Sequence, residues 1–465
     1  MSTATNLTAK EDFLNNYPEY EATKTLDKWR AKDYGRLDDN HHVYLDYTGG
    51  NLYGTSQVKT HHDFLLNNIL GNPHSSNPSS IKSTEAVENA REAVFKFFNA
   101  PDYICVFTPN ATGALKIIGE SYPFTEKSHF LLPFDNHNSV NGIREYAKNK
   151  GASYTYSPIQ IEDLKFQPDI LQNHLESHAN ADKKLFAYPA QSNVSGVKHD
   201  LGWIEIAQKL GWDVLLDASA FVPTSKLDLS TYQPDFVSLS FYKMFGYPTG
   251  LGALLIKKDK LKLLKKPWFA GGTVTLASVM AENFFLEESH SRYEDGTINY
   301  LDIPAIKIGL DHLDDIGMEN INQRVTILSQ YILDTFPTLK HDNGTPLIKI
   351  FGPQTTDNRG GTFILNIFDD QGNPLPFLEV ERLANHENFS IRTGCFCNPG
   401  IDEINNNLDQ ETLRTYFETR EAGDYFDMQK SLDQMRGAIR ISLGLMSNFE
   451  DVYKFIEFLK TFRKG

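Results

Sequence analysis

The predicted fold follows from residues 213–258, which read DVLLDASAFVPTSKLDLSTYQPDFVSLSFYKMFGYPTGLGALLIKK. Three apolar runs, within 213–220, 236–243 and 250–258, are separated by polar connections. Near-continuous apolar strands of this length indicate a mainly parallel sheet that is covered on both faces.

The chain before this stretch alternates short apolar runs with amphipathic helical patterns. Strands that alternate with helices predict an α/β fold. The pairs of a strand and its following helix are YICVF (103–107) with ATGALKIIGE (111–120), HFLLPF (129–134) with NSVNGIREYAKN (138–149), and KLFAYPA (184–190) with GWIEIAQKLG (202–211).

Three regions are expected along the chain. Residues 1–40 are polar and helix-prone and form an N-terminal helical arm, and residues 41–303 form a large cofactor-binding domain. Residues 304–465 have shorter strands and form a smaller C-terminal α+β domain. Its predicted elements are one long amphipathic helix at about 304–335, strands within GTFILNIF (361–368) and GAIRISLG (437–444), and a closing helix from Phe449.

Composition and charge exclude several classes of protein. The chain has 465 residues, of which 40% are hydrophobic and 12% aromatic, enough for a substantial core. The 60 acidic residues against 45 Lys plus Arg give a net charge of −15, which disfavours nucleic-acid and anionic-membrane partners. Three cysteines make no disulfide framework, and neither a secretory signal nor an apolar run of about 18 residues is visible. We therefore expect a cytoplasmic protein.

Two residues of the quoted stretch point to a cofactor. Lys243 follows an apolar strand and is either an ordinary surface lysine or a buried amine whose lowered pKa suits a Schiff base. Asp217 ends another strand and either caps the next helix or pairs with a pyridinium nitrogen. Ligands of open α/β sheets collect where strands lead into loops, so both residues are expected near one site.

Three further loops carry matching chemistry. TPNATG (108–113) opens a helix and is either a plain cap or a phosphate cradle. His137 is either structural or stacks on a planar cofactor, and AQSNVSG offers Gln191 and Asn193 as hydrogen-bond donors. A lysine, a carboxylate, a flat ring, a phosphate cradle and amide donors together describe a site for pyridoxal 5′-phosphate (PLP).

In order and spacing, these motifs resemble the class V, fold-type I PLP enzymes. These include the cysteine desulfurases and, most closely, the desulfurase-like N-terminal domain of molybdenum cofactor sulfurases. The resemblance covers roughly residues 41–460 and implies a mainly parallel seven-stranded sheet and a homodimer. The matching stretches are VYLDYTGGNLY (43–53), GNPHSSNPSS (71–80), FTPNATGALKIIGE (107–120), DNHNSVNGIREYA (135–147), YPAQSNVSG (188–196), LLDASAFVPTSKLDLS (215–230), PDFVSLSFYKMFGYPTGLGALL (234–255) and RTGCFCNPG (392–400).

The resemblance also implies a role for each residue of the site. Two positions depart from the desulfurases, because Tyr242 replaces a common His and Ala220 replaces a Gln or His. Both departures resemble molybdenum cofactor sulfurases, and Gln191 is the candidate for the missing hydrogen bond. The implied roles are Lys243 as Schiff-base lysine and general base, Asp217 as pyridinium partner, His137 as stacking residue, Ser240, Thr112 and the backbone of Ala111 as phosphate contacts, Asn193 on the phenolic-oxygen side, and Thr297 as a phosphate contact donated to the neighbouring subunit.

The segment RTGCFCNPG (392–400), here called the cysteine loop, holds two of the three cysteines. Zinc is disfavoured because tetrahedral sites need four ligands, and a disulfide between Cys395 and Cys397 would be strained. Cys105 lies in an apolar strand and is expected to pack as a small hydrophobe. A reactive thiol remains, favoured by the neighbouring charge of Arg392.

The resemblance places the persulfide-forming nucleophile at Cys397, five residues after Arg392, with Cys395 as a relay or an alternative. In GAIRISLG, Arg440 alternates with apolar residues and resembles the family's substrate-binding arginine. A surface arginine on an edge strand is the alternative. His74 of GNPHSS resembles a loop residue of the family's active site.

The expected activity is that of a PLP-dependent cysteine desulfurase. L-Cysteine gives up its sulfur to form an enzyme persulfide, alanine is released, and an acceptor takes the sulfur. Because the sequence ends at Gly465, where the PLP module should finish, the acceptor is unknown and molybdenum cofactor is suggested by resemblance alone. The alternatives are another PLP reaction on an amino acid (β-lyase, epimerase or transaminase) and a non-catalytic binding module.

Overall fold

The computed structural model describes residues 3–432 and 436–464. Its strands are β1 (Val43–Tyr44), β2 (Tyr103–Thr108), β3 (His129–Pro133), β4 (Ser153–Ser157), β5 (Lys184–Pro189), β6 (Asp213–Asp217), β7 (Phe236–Ser240), β8 (Gly252–Lys257), β9 (Val274–Ser278), β10 (Asn283–Leu286), β11 (Ile348–Phe351), β12 (Thr362–Ile367), β13 (Phe389–Ser390), β14 (Arg392–Gly394) and β15 (Ala438–Ser442).

The helices surround two main sheets. They are α1 (Thr3–Asn16), α2 (Thr25–Asp33), α3 (Arg36–Asp39), α4 (Thr55–Leu66), α5 (Pro78–Phe97), α6 (Ala111–Ser121), α7 (Asn138–Asn141), α8 (Ile143–Asn149), α9 (Pro168–Ser177), α10 (Trp203–Lys209), α11 (Phe241–Phe245), α12 (Pro304–Ile316), α13 (Met318–Thr335), α14 (Phe377–His386), α15 (Pro399–Asn405), α16 (Gln410–Glu418), α17 (Tyr425–Leu432) and α18 (Phe449–Lys460). Within the described residues, no helix is long and apolar enough to cross a membrane.

The larger sheet has seven strands in the order β2-β8-β7-β6-β5-β3-β4. The run from β4 through β3, β5 and β6 to β7 is parallel, and β8 pairs antiparallel with both β7 and β2. The central strands are buried along nearly their whole length, as their apolar sequences require. The predicted mainly parallel, helix-covered sheet is confirmed.

The edge of this sheet that carries the cofactor motifs is formed by the ends of β6 and β7. Asp217 is the last residue of β6 and lies opposite Ser238 of β7. The single turn α11 follows β7 directly and ends at Gly246, which has φ of +79°. A Cβ at Gly246 would lie 2.4 Å from the backbone of Leu52, so glycine is required here on two counts. This sharp turn includes Lys243, which is the third residue after the end of β7.

The smaller sheet is antiparallel, with the order β11-β12-β15-β14. It carries Arg440 on β15, and its strand β14 forms the first three residues of the cysteine loop. The prediction of one long helix at 304–335 is wrong, because Gly317, at φ of +88°, divides it into α12 and α13. A left-handed glycine ends a helix since its neighbours cannot continue the hydrogen-bond ladder through it.

Candidate active site

Lys243 lies half-buried in α11, directly after β7. Burial lowers the pKa of its ammonium group, because the charged form loses water. The cations of Arg440 and Arg392 lower this pKa further, whereas the carboxylate of Asp217 opposes them. Lys243 is therefore a lysine held toward its neutral, nucleophilic form, and the alternative of an ordinary surface lysine fails.

Asp217 is positioned by two donors on one of its oxygens. Its Oδ1 accepts hydrogen bonds from the backbone N–H of Ser219 (3.1 Å) and from Ser238 Oγ (3.0 Å). Both bonds use Oδ1, so Oδ2 is left to accept from a protonated ring nitrogen. The residue combines a local turn with a free carboxylate oxygen, which fits the pyridinium role.

His137 presents a neutral ring toward the same site. Its Nδ1 accepts from the backbone N–H of Ser139 (3.1 Å), which fixes the ring at the start of α7. Burial lowers the pKa of His137, and the charge of Lys243 lowers it further. A neutral, flat imidazole held in this way suits stacking on an aromatic cofactor.

The residues of the predicted phosphate cradle lie at the N-terminus of α6. Asn110 caps this helix by accepting from Gly113 N (2.9 Å). Ser240 Oγ accepts from Ala111 N (2.9 Å), and the hydroxyls of Thr112 and Ser139 are 2.8 Å apart. Hydroxyls gathered at a helix N-terminus favour a phosphate through their donors and the helix dipole. With the lysine, the carboxylate and the ring, the residues present fit PLP.

Ala220 lines a small cavity. The cavity has a volume of about 10 Å³, enough for one water molecule, and Gln191 and Ser219 line it. Gln191 Oε1 and Ser219 Oγ are buried and have no hydrogen-bond partner among the described residues. Gln191 and Ala220 therefore line the same small cavity, and the role of Gln191 as the source of the missing hydrogen bond stays a prediction.

Asn193 lies between the cofactor loops and the cysteine loop. Its Nδ2 donates to the carbonyl of Phe396 (2.8 Å), and its Oδ1 accepts from Asn398 Nδ2 (3.2 Å). Its own carbonyl accepts from Arg440 Nη1 (2.9 Å). The predicted contact with the cofactor's phenolic oxygen stays a prediction, while the observed contacts join Asn193 to the cysteine loop.

The two cysteines of the loop differ in exposure. Cys397 is exposed, whereas Cys395 is half-buried, and burial followed by the charge of Asp402 raises the pKa of Cys395. The carbonyl of Cys397 accepts from the backbone N–H of Asn138 (2.7 Å), next to His137, and the thiol's charge acts on Lys243. Cys397 is thus the exposed thiol of the loop, and its charge acts on the cofactor lysine.

Three buried residues that the sequence did not single out hold this loop in place. Asp135 Oδ1 accepts from Asn398 Nδ2 (2.7 Å) and from Ser192 Oγ (2.9 Å). Asp135 Oδ2 lies 2.9 Å from His199 Nε2, and both of these side chains are fully buried. Phe396 and Cys397 adopt left-handed backbone conformations (φ of +57° and +55°), a strained geometry that needs such anchors.

Removing the anchor should free the loop. We expect Asn398→Ala to increase the alkylation rate of Cys397 by at least about tenfold, since the loss of two buried bonds worth about 1 kcal/mol each opens the loop more often. Mass spectrometry after timed iodoacetamide treatment measures the rate. Ser192→Ala is the matched control, because it removes the other donor to Asp135 Oδ1 and leaves the loop's own bond. Equal rates in all three proteins would contradict this prediction.

Arg440 is buried in the interior of the smaller sheet, at 3% exposure. This excludes the alternative of a surface arginine on an edge strand. Its Nη2 donates to Asp46 Oδ1 (2.9 Å), and the ring of Phe396 covers its guanidinium at 4.9 Å. Arg392 binds the same carboxylate through Nη2 and Asp46 Oδ2 (2.6 Å). Asp46 lies within the stretch VYLDYTGGNLY (43–53), and no role was predicted for it from the sequence.

Thr297 and His74 lie together on an exposed edge of the molecule. Asn72 joins them, because its Nδ2 donates to Thr297 Oγ1 (3.2 Å) and its Oδ1 accepts from the backbone N–H of His74 (3.3 Å). Neither side chain has a hydrogen bond to Lys243 or Asp217 among the described residues. Their predicted roles in the site stay predictions.

Fold and site together define a fold-type I PLP enzyme. Residues 43–455 match the aminotransferase class-V family, and the chain belongs to it. The chain is 37% identical to the human molybdenum cofactor sulfurase over 94% of its own length. That alignment spans 51% of the human protein, so the chain corresponds to about half of this curated relative.

Solved structures confirm the fold. A cysteine desulfurase from Thermococcus onnurineus NA1 superimposes with a TM-score of 0.78 at 20% identity and covers 94% of this chain and 97% of that one. The cystine C–S lyase C-DES, in complex with cysteine persulfide, superimposes with a TM-score of 0.69 at 16% identity, over 91% and 98% of the two chains. Because a desulfurase and a lyase share this fold, the reaction has to be argued from the site.

Proposed function

We propose that the protein is a PLP-dependent cysteine desulfurase that transfers sulfur from L-cysteine to an acceptor through a persulfide on Cys397. The main support for this proposal is the position of Cys397. Its carbonyl accepts a hydrogen bond from the residue after His137, and its charge acts on Lys243. An exposed thiol facing the cofactor lysine is what a desulfurase needs and a β-lyase does not.

Each residue has a defined task in this proposal. When bound, PLP withdraws electrons from the substrate's α-carbon. Lys243, held toward its neutral form, removes the α-proton as general base, while Arg440 binds the substrate carboxylate. Asp217 keeps the ring nitrogen protonated through Oδ2, and His137 holds the ring plane.

The sulfur step balances as a nucleophilic displacement. The Cys397 thiolate attacks the substrate's sulfur, forming an S–S bond as the S–Cβ bond breaks. The electron pair of the broken bond stays on carbon, which then takes up a proton, so alanine leaves and Cys397 carries the persulfide. A nucleophile of the acceptor then attacks the terminal sulfur, the S–S bond breaks, and Cys397 leaves as a thiolate.

Incubation of the purified protein with L-cysteine tests this function. We expect alanine as the product, an added mass of one sulfur on the peptide containing Cys397, and attachment of the pyridoxyl group to Lys243 after borohydride reduction. Pyruvate and ammonia in place of alanine would contradict the desulfurase and support the β-lyase instead.

We further propose a homodimer in which Thr297 reaches the partner's phosphate site. An apolar hairpin, formed by β9 and β10, exposes Leu276 (60%), Val279 (95%), Met280 (100%) and Phe285 (63%). The hairpin leaves the body of the protein beside the loop of Thr297, where Gly296 N donates to the carbonyl of Gly271 (2.8 Å). Such an exposed apolar patch favours burial against a second copy.

A charge in this patch should separate the subunits. We expect Met280→Arg to convert a dimer to a monomer in sedimentation velocity and to weaken PLP binding, because Thr297 can then no longer reach the neighbouring site. Phe417→Arg is the control, since Phe417 is another exposed apolar residue (67%), on α16. A wild-type protein that sediments as a monomer with full PLP occupancy would contradict the proposed dimer.

The sulfur acceptor, the cellular compartment and the division into domains are also proposals. Similarity to molybdenum cofactor sulfurases supports molybdenum cofactor as the final acceptor, and the low cysteine content supports the cytoplasm. The division at residues 40 and 303 into an arm, a PLP domain and a domain carrying Arg440 and the cysteine loop is likewise proposed. Sulfuration of isolated molybdenum cofactor by the persulfide form would test the acceptor.

A further inference from the structure

The two arginines whose charges act on Lys243 share a single counter-ion. Asp46 is 7% exposed, and its two oxygens bind both guanidinium groups. Oδ1 accepts from Arg440 Nη2 (2.9 Å) and from Arg392 Nε (3.1 Å), and Oδ2 accepts from Arg392 Nη2 (2.6 Å). One carboxylate thus offsets one of two positive charges, and one positive charge is left over.

The backbone around Asp46 favours the geometry of this cluster. A Cβ on Gly49 would lie 2.5 Å from Asp46 Oδ2 and 2.6 Å from Arg392 Nη2, so a larger residue there would force the two side chains to shift. The backbone of Asp46 pairs with Ser442 on the strand that carries Arg440. The carboxylate is therefore held in place from two sides.

The remaining positive charge has an open donor. Arg440 Nε is buried and has no hydrogen-bond partner among the described residues, although Nη1 and Nη2 of the same side chain are engaged. A buried, unpaired guanidinium donor is costly, and one carboxylate would satisfy both its hydrogen bond and its charge. Asp217 is the other carboxylate whose charge acts on Lys243, and in the proposed function it pairs with the ring nitrogen.

We propose that Asp46 determines how many carboxylates a bound substrate can carry, so that the site accepts amino acids with one carboxylate and rejects those with two. This inference rests on the proposed function, in which Arg440 binds the substrate carboxylate. A second carboxylate would meet Asp46 and find no uncancelled arginine. Asp46 acts through the two arginines and is a specificity-determining residue that leaves the chemistry itself to others.

The test uses two amino acids without a thiol, so that it does not depend on sulfur transfer. L-Alanine and L-aspartate are titrated into the PLP-loaded enzyme, and their dissociation constants are measured by calorimetry. We expect wild type to bind L-alanine at least about tenfold more tightly than L-aspartate. In Asp46→Asn, the ratio of the two constants should move at least about tenfold toward L-aspartate, because a full arginine charge becomes available.

The inference is overturned if Asp46→Asn weakens both amino acids by the same factor or changes neither. The double variant Asp46→Asn with Arg392→Gln removes one charge of each sign and should restore the preference for L-alanine, whereas an unrestored ratio would indicate local damage and contradict the inference. If Asp46→Asn does not fold, Gly49→Ala parts the same pair and should shift the ratio in the same direction.

Asp38→Asn is the control variant, because it removes an exposed carboxylate from another arginine, Arg30, and should leave the ratio unchanged. Failure of the proposed function is seen separately, as pyruvate in place of alanine from L-cysteine. The titration of L-alanine and L-aspartate remains interpretable in that case.

Discussion

Cys397→Ala is expected to abolish the persulfide and to lower alanine release from L-cysteine by at least about 100-fold, while the PLP absorbance near ~420 nm is unchanged. The physical reason is the division of tasks within the site. The charge of Cys397 acts on Lys243, whereas its thiol has no hydrogen bond among the described residues to the groups assigned to the cofactor, which are Asp217, His137 and the N-terminus of α6. Mass spectrometry of the loop peptide and quantification of alanine measure both effects.

Two cysteine variants serve as controls. Cys395→Ala should have the milder effect, because burial raises the pKa of this thiol and leaves less thiolate at neutral pH. Cys105→Ala should have none, since Cys105 is fully buried in β2 and burial raises its pKa to about 12. A larger loss in Cys395→Ala than in Cys397→Ala would move the nucleophile to position 395. Unchanged alanine release in the double variant would end the desulfurase assignment.

The larger sheet could be predicted because its signal is local. Buried parallel strands are apolar along their whole length, so β5, β6 and β7 are visible in the sequence within a few residues of their observed ends. The edge strand β4 was missed, since SYTYS is half-exposed and polar. The break at Gly317 was also missed, because a helix on either side of one glycine keeps the same apolar spacing.

The site was predictable where a residue acts through its own chemistry and unpredictable where it acts through another residue. Lys243, Asp217 and His137 stand at strand ends, and the sequence places them there. Asp46 and Asp135 do their work through partners more than 200 residues away, Arg440 and Asn398, and nothing in the neighbouring sequence marks those pairings. Asn193 shows the same limit, because its amide contacts the cysteine loop, which the sequence does not indicate.

Lys243→Ala should have the largest effect of all. We expect the rate of alanine release to fall by at least about 1,000-fold, since general-base catalysis alone contributes about 10²–10⁴ and the Schiff-base link is lost as well. PLP should then dissociate on dialysis, and borohydride should no longer fix it to the chain. Lys198→Ala is the matched control, because burial also lowers the pKa of Lys198, yet none of the arginines of the site acts on it.

The lowered pKa of Lys243 also predicts how cofactor uptake depends on pH. Only the neutral amine reacts with the aldehyde, so a lowered pKa keeps the uptake rate high below the ordinary lysine value of about 10.4. The rate should fall as pH drops through the lowered pKa. In Arg440→Met the fall should move to higher pH, because removing a nearby cation and freeing the Asp46 carboxylate both stabilise the ammonium form. Stopped-flow absorbance of the apoenzyme mixed with PLP measures both profiles, and a shift to lower pH in Arg440→Met would contradict the proposed coupling of arginine and lysine.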